Sequence, residues 1–386
     1  MSKKKQKKKS TKKNKTYSKQ EINNQNINNN KSNLKTIIIC YLISRLFLII
    51  FLIIKGDLSI LELYDGQHYI EMAKAGYSSE FLYAFFPMYP LLIRILSIII
   101  PSYQISGALI SNIASFLSLL LLNKLTKDKD NKFNIICFIF SPILAYTSIV
   151  YTESIFMLLT ILGYYLYKKD KYILSAIIVG ISILTRNSGI ILWGAIGLDM
   201  LYRLFIQKDK TIKFNHIIIF GLISLSIGMI YPLYLYIKTN NFLEFATVQD
   251  KYWYREKGTF IDGIIKDIKV IKRTKDATLI NIIIFLQNWI SFFLTFILGI
   301  KLFKKDKVAS IYTIVSLIAF STMYRDIDEW VSLSSISLFR YVLNLFPIYL
   351  YLFDNKKEIN KLIIFITFLL FSFFNTILIY SGVFLA

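Results

Sequence analysis

The chain has 386 residues, 55% of them hydrophobic and only 18% charged, with a mean hydropathy of +0.51, which excludes a soluble globular enzyme. Its net charge of +22 is not a nucleic-acid footprint, because twelve of the 46 Lys and Arg lie in the first 35 residues and the others gather mainly in short loops rather than on one folded face. The two cysteines, Cys40 and Cys137, both sit inside apolar runs without metal-ligand or redox spacing, so they read as small hydrophobes.

Residues 1–34 are rich in Lys, Asn, Ser and Gln and almost free of apolar side chains, too little to offset the entropy of ordering. They are expected to form a disordered basic cytoplasmic tail, serving either anionic headgroups or topology alone. The apolar run from Ile37 to Ile54 lacks a small-residue cleavage site and follows too long a basic region for a signal peptide, so it reads as a retained first span. Further runs suit a ~30 Å hydrocarbon core. Spans are expected near 35–55, 104–124, 133–150, 152–167, 172–186, 188–206, 215–238, 280–302, 308–323, 338–353 and 362–385. Because lipid cannot satisfy open backbone groups, the fold class is an all-α polytopic membrane protein of about 11 transmembrane helices, with residues 35–386 as its membrane domain.

Basic residues cluster in the short loops 124–132, 168–171, 203–213, 301–307 and 354–361. By the charge-bias rule those loops face the cytoplasm with the N-terminus. Two long external loops result, about 56–103 and 239–280, and loops of such length are usually functional. Positions Gln67, Gln249 and Ser335 then face outward and Lys305 inward.

The first long loop carries Tyr64-Asp65-Gly66-Gln67-His68-Tyr69. Read as a helix, it sets Glu62, Asp65, His68, Tyr69 and Met72 along one side, which suits either an interfacial helix with a wet charged face or a carboxylate base at the lipid boundary. Glu153 opens the fourth span, Arg186 interrupts a long apolar stretch within Thr185-Arg186-Asn187-Ser188-Gly189, and Arg340 opens the tenth. Each has a plainer reading as a helix-terminal carboxylate, a turn or a snorkelling side chain. Together with Gln249 and Arg255 they fall on one face of the membrane, and ionisable residues so placed tend to meet a cavity or a partner. Carboxylate plus arginine is what sugar transfer from a lipid phosphate needs, one as base and the other as a fork for phosphate oxygens. Asp326-Ile327-Asp328 reads as a solvated external turn, since a metal site would want more convergent carboxylates.

At these residues the chain resembles the PIG-V family of mannosyltransferases. Tyr64-Asp65-Gly66 with Tyr69 and Ala73-Lys74-Ala75-Gly76-Tyr77 is similar to the family's first-loop block, and Ala84-Phe85-Phe86-Pro87-Met88-Tyr89-Pro90-Leu91 to its second. Tyr151-Thr152-Glu153-Ser154, Thr185 to Gly189, Gln249 with Trp253, and Arg340-Tyr341 with Phe346-Pro347 resemble later blocks in the same order. Two departures are Tyr64, where the family more often has Trp, and Tyr254-Arg255, where it has Gly-Arg.

The resemblance implies a GT-C-type bundle with its site on the outer or lumenal face, using a polyprenyl-phosphate-linked sugar, usually mannose. Inverting transfer to a lipid, glycan or protein acceptor follows, with the bilayer, donor and acceptor as partners and no nucleic acid. The expected catalytic residues are Asp65, Arg186 and Arg340. Tyr64, Gln67, His68, Glu153, Gln249, Trp253 and Arg255 are expected to bind substrate. No cofactor or metal is assigned, and divalent-metal dependence stays open. The setting is a prokaryotic cell membrane, or the endoplasmic reticulum membrane in a eukaryote. The rival readings are a lipid-linked-glycan flippase or transporter and a non-catalytic subunit of a glycan-assembly complex.

Overall fold

The computed structural model describes residues 34–126, 132–273, 278–325, 333–335, 337–354 and 356–383. The tail expected at 1–34 and the Asp326-Ile327-Asp328 turn lie outside these residues, apart from Leu34. Internal contacts divide the chain into two units, Met1–Leu46 and Phe47–Ala386. In the first, the described residues form only the N-terminal part of helix α1 (Leu34–Lys55).

The second unit continues with α2 (Asp65–Ala75), α3 (Met88–Ser97), α4 (Tyr103–Leu125), α5 (Lys132–Ile139), α6 (Glu153–Lys168), α7 (Tyr172–Thr185), α8 (Gly189–Phe205) and α9 (Phe214–Gly228). There follow α10 (Ile230–Thr239), α11 (Glu244–Trp253), strand β1 (Arg255–Lys257), α12 (Phe260–Arg273), α13 (Thr278–Leu302) and α14 (Lys307–Ser321). Strand β2 (Met323–Arg325), α15 (Leu338–Leu343), α16 (Pro347–Tyr351) and α17 (Glu358–Tyr380) complete it. The protein is a helical membrane protein, its one described sheet being a short antiparallel ribbon that pairs Arg255 with Arg325.

Helices stand at all eleven expected positions, but not as eleven uninterrupted spans. Among the described residues, α1, α4, α13 and α17 are single helices long and apolar enough to cross a bilayer. A fifth candidate by length and composition is α9 with α10, bent by 42° and so either a broken span or a re-entrant pair. Pro232 explains the bend, because it has no N–H to donate and its ring crowds the carbonyl four residues back, at Gly228. Helices α6, α7, α8 and α14 have 16, 14, 17 and 15 residues, so at ~1.5 Å per residue each falls short of a ~30 Å core.

Two expected spans are corrected. The helix of segment 133–150 ends at Ile139, and Ser141-Pro142 turns the chain into a buried irregular stretch running to Thr152. Its backbone is satisfied from neighbouring elements. Asn375 donates to the Pro142 carbonyl at 3.0 Å, Asn112 to that of Ser148 at 2.8 Å and Ser111 to that of Tyr151 at 3.1 Å, while the Val150 amide donates to Leu61 at 2.9 Å. Segment 338–353 is likewise broken into α15 and α16, with Pro347 opening the second helix, where its missing N–H costs nothing.

Small residues and hydroxyls bring the bundle helices together, as expected where lipid removes the hydrophobic drive between them. Ser175 donates to Gly163, Ser224 to Ala176 and Ser310 to Gly299, at 2.8, 3.0 and 2.7 Å. The first long loop is packed rather than loose: Phe86 buries against Leu184, Tyr231 and Leu235. Tyr89, wholly buried, donates to the Gly107 carbonyl at 2.9 Å. This anchoring holds α2 over the bundle.

Candidate active site

Asp65 is the first residue of α2, and the chain reaches it through an unusual backbone. Tyr64 has φ 51° and ψ −116°, a conformation costly for a residue with a side chain. Gly66 then sits so close to the irregular stretch that a Cβ there would lie 3.0 Å from the Val150 carbonyl oxygen. The Asp-Gly pair therefore places the carboxylate against residues 141–152, and any larger residue at 66 would push it away.

Glu153 begins α6, and Arg186 lies just beyond α7 with extended backbone. There the chain turns so tightly that a Cβ on Gly189 would come within 2.7 Å of Ser182 and Ile183 backbone atoms. Arg340 lies on α15, which a polar clasp fixes from outside. Asn288 of α13 accepts from the Phe339 amide at 2.9 Å and donates to Ser335, and Ser335 in turn bonds the buried Asp267 of α12. Burial pushes the Asp267 carboxyl up, against the pull of its bonds to Ser335 and Trp289.

These elements set four charges in a row. The Arg340 guanidinium is 3.3 Å from Asp65 Oδ2 and, through Nε, 3.3 Å from Glu153 Oε1. Arg186 donates to the same Glu153 oxygen at 3.0 Å. The side chains of Arg340 and Glu153 are nearly inaccessible, whereas Asp65 keeps 27% exposure. The Nε contact of Arg340 lacks hydrogen-bond geometry, and among the described residues Glu153 Oε2 has no hydrogen-bond partner. Tyr341 fills the space between the cations. Its hydroxyl accepts from Arg340 at 3.1 Å, and both guanidinium carbons lie 5.0 Å from its ring centre. Tyr146 and Tyr151 present their rings to Arg340 at 5.1 and 5.4 Å, so desolvated cations are held by π faces as well as carboxylates.

A cavity of about 570 Å³ opens on this row. Asp65, Arg186, Arg255, Arg340, Tyr341 and Asn344 are among its polar lining residues and Phe156, Ile190, Met229, Pro232 and Phe242 among its apolar ones, Met229 and Pro232 standing at the α9–α10 bend. Gln249 and Trp253 of α11 complete the wall. Gln249 is 3.5 Å from the Ala84 carbonyl, and one face of Trp253 is stacked on Phe81 at 4.4 Å, leaving only its remaining surface for a ligand. Tyr254, with φ 51° and ψ 44°, turns the chain so that Arg255 joins the cavity.

Of the residues singled out in the sequence, Asp65, Arg186, Gln249, Trp253, Arg255 and Arg340 share this cavity. Glu153 stands behind it, between two arginines. Tyr64, Gln67 and His68 are not among its lining residues. Gln67 is exposed. His68 packs on Phe81 and Phe85 at 4.8 and 5.1 Å, where burial lowers its pKa against the opposing pull of Asp65 and Glu71. Burial pushes the Tyr64 phenol up to about 12. Sequence reasoning quoted Tyr69 and Tyr341 beside Asp65 and Arg340 without giving them a role, and it passed over Asn344, for which i+4 spacing from Arg340 was the available signal. Among the described residues no three His, Cys, Asp or Glu side chains come together as a metal set.

A family model described as Mannosyltransferase (PIG-V) matches residues 43–257, more than half of the 386-residue chain. The match includes Asp65, Glu153, Arg186, Gln249, Trp253 and Arg255 and stops before α15. No curated protein matches the chain.

Proposed function

The chain belongs to the PIG-V mannosyltransferase family and is a membrane glycosyltransferase, and from that premise we propose that it moves mannose, with inversion, from a polyprenyl-phosphate donor to an acceptor hydroxyl. The site would face the outer or lumenal side, with the N-terminus cytoplasmic, because the basic loops lie at the other ends of the helices. The observation that carries the reading is a cavity whose lining joins the charged row to apolar side chains. Arg186 and Arg340 both line it, and a guanidinium can hold two oxygens of a phosphodiester in a fork. Two of its apolar lining residues are exposed, Ile190 at 47% and Phe242 at 40%, and an isoprenoid tail would enter from lipid past them.

In this mechanism the donor phosphate engages Arg340 or Arg186, which loosens the Arg340 contact with Asp65. Asp65 accepts the acceptor proton as the hydroxyl oxygen attacks the anomeric carbon. The bond from that carbon to the phosphate oxygen breaks, and its electron pair leaves with polyprenyl phosphate. Arginine stabilises the added charge in a poorly hydrated site, where such stabilisation is often the largest contribution. Glu153 holds both guanidinium groups in place. Trp253 and Gln249 contact the sugar or isoprenoid, while Tyr64, Gln67 and His68, off the cavity wall, act on substrate only by supporting α2.

Purified protein supplied separately with polyprenyl-phosphate mannose and with GDP-mannose tests the donor. Turnover of the lipid-linked donor alone is expected. Efficient use of GDP-mannose without other membrane enzymes would refute the proposal.

A further inference from the structure

Tyr341 lines the cavity beside Asp65 and Arg340, yet the mechanism above gives it no part. Its hydroxyl oxygen accepts a hydrogen bond from Arg340 at 3.1 Å. That bond uses a lone pair and leaves the phenol proton to be given elsewhere, and among the described residues no acceptor takes it. Arg186 and Arg340 both lie 5.0 Å from the ring centre and Phe320 packs on the ring at a tilt, so the ring that carries the hydroxyl is fixed between two cations. An anion drawn to Arg186 and Arg340 would meet this hydroxyl.

We propose that Tyr341 is a further catalytic residue, donating its O–H hydrogen bond to the phosphate oxygen that departs from the anomeric carbon. The inference rests on the lipid-phosphate donor proposed above. No proton is transferred from Tyr341: the acceptor's proton goes to Asp65, the electron pair of the broken C–O bond stays on phosphate, and the phenol shares its hydrogen with that oxygen. Because charge on the phosphate grows from one to two as the bond breaks, this hydrogen bond strengthens toward the transition state. Arg340, donating to the same hydroxyl, polarises it in the right sense.

The test is Tyr341→Phe in the full-length purified enzyme with polyprenyl-phosphate mannose. Phenylalanine keeps the ring between the two guanidinium groups and removes only the hydroxyl. The kcat should fall about 100-fold, the scale of losing one preorganised donor to a developing anion, with the donor KM within about threefold. Inhibition by polyprenyl phosphate, which carries the full leaving-group charge, should weaken about tenfold or more relative to donor binding. A kcat within threefold of wild type, or an unchanged inhibition constant, overturns the inference. As a second variant, 4-aminophenylalanine at position 341 is nearly isosteric and keeps a neutral N–H donor in place of the hydroxyl. It should recover about tenfold or more over Tyr341→Phe, and activity no higher than that of Tyr341→Phe overturns the donor role. Failure of the wild type to use the lipid-linked donor removes the premise itself, a result no Tyr341 variant can imitate.

Discussion

A cluster built on a buried carboxylate lies at each end of helix α6, and the two are completed differently. At its start, Glu153 meets Arg186 and Arg340 with one carboxylate oxygen unpartnered among the described residues. Near its end, Tyr164 and Lys168 meet Asp306, the N-cap of α14. Both oxygens of Asp306 are engaged: Oδ1 accepts from the Ala309 amide at 3.1 Å, and Oδ2 accepts from Tyr164 and from Tyr351 at 2.8 Å and forms an ion pair with Lys168 at 3.3 Å. Each is built on a buried carboxylate, but the cation of the second, Lys168, is 39% exposed against 5% for Arg340. What matters more is that the first cluster borders a cavity and keeps polar capacity in reserve, whereas the second uses both carboxylate oxygens to join α6, α14 and α16. Buried polar groups without partners are costly, so a fold that retains them beside a cavity is suited to receive a ligand there.

The largest expected effect lies at the first cluster. Asp65→Asn preserves size and removes the proposed base, so transfer should fall by ~10²–10⁴-fold, while expression and insertion stay normal. Undiminished turnover of the purified variant would take Asp65 out of the chemistry and erase the contrast between the two ends of α6.

At the second cluster the expected result is the reverse. Asp306→Asn retains an oxygen to cap α14 but loses the charge shared by two phenols and Lys168. Stability should drop by about 1–3 kcal/mol, the scale of disturbing buried hydrogen bonds, read by thermal unfolding in detergent. The kcat of the folded fraction should be unchanged. A large kcat loss without a stability change would make the closed cluster part of the site.

The two clusters are also expected on opposite membrane faces. In a background lacking Cys40 and Cys137, a cysteine at Gln67, which is exposed near the first cluster, should react with an impermeant thiol reagent in intact cells. One at Lys305, beside Asp306, should react only after permeabilisation. Labelling at 305 in intact cells would invert the proposed orientation.

How much of this was legible depended on what each residue's neighbours in sequence could reveal. Asp65, Glu153, Arg186 and Arg340 stood out because a charge at the edge of an apolar run is expensive and therefore informative, although which of them meet could only come from the fold. Asp306 was hidden among the lysines of 301–307, where it reads as one more solvated charge. Asp267 was hidden in the basic, amphipathic α12. Ser335, expected at the surface from the span pattern, is buried against Asp267, because a break in an apolar run marks a turn without saying what covers it. The same limit applies to residues 141–152. Continuous hydropathy shows that a segment is buried, and only tertiary partners such as Asn112 and Asn375 show that it is not helical.

The smallest effect concerns Tyr254, where the family pattern has glycine. Its φ of 51° and ψ of 44° lie in the left-handed region, which disfavours a residue with a Cβ by roughly 1–2 kcal/mol. Glycine adopts it freely but has more disorder to lose on folding, a penalty of about 0.5–1 kcal/mol. The Tyr254 side chain is 58% exposed, so removing it sacrifices little packing, and the backbone gain should slightly outweigh the entropy. Tyr254→Gly should therefore leave stability unchanged or raise it by up to ~1 kcal/mol, with Trp253 and Arg255 still directed to the cavity and turnover retained. A marked loss of activity at unaltered stability would assign the Tyr254 ring a role in binding substrate, and the departure from glycine would then be a feature of the site rather than a tolerated strain.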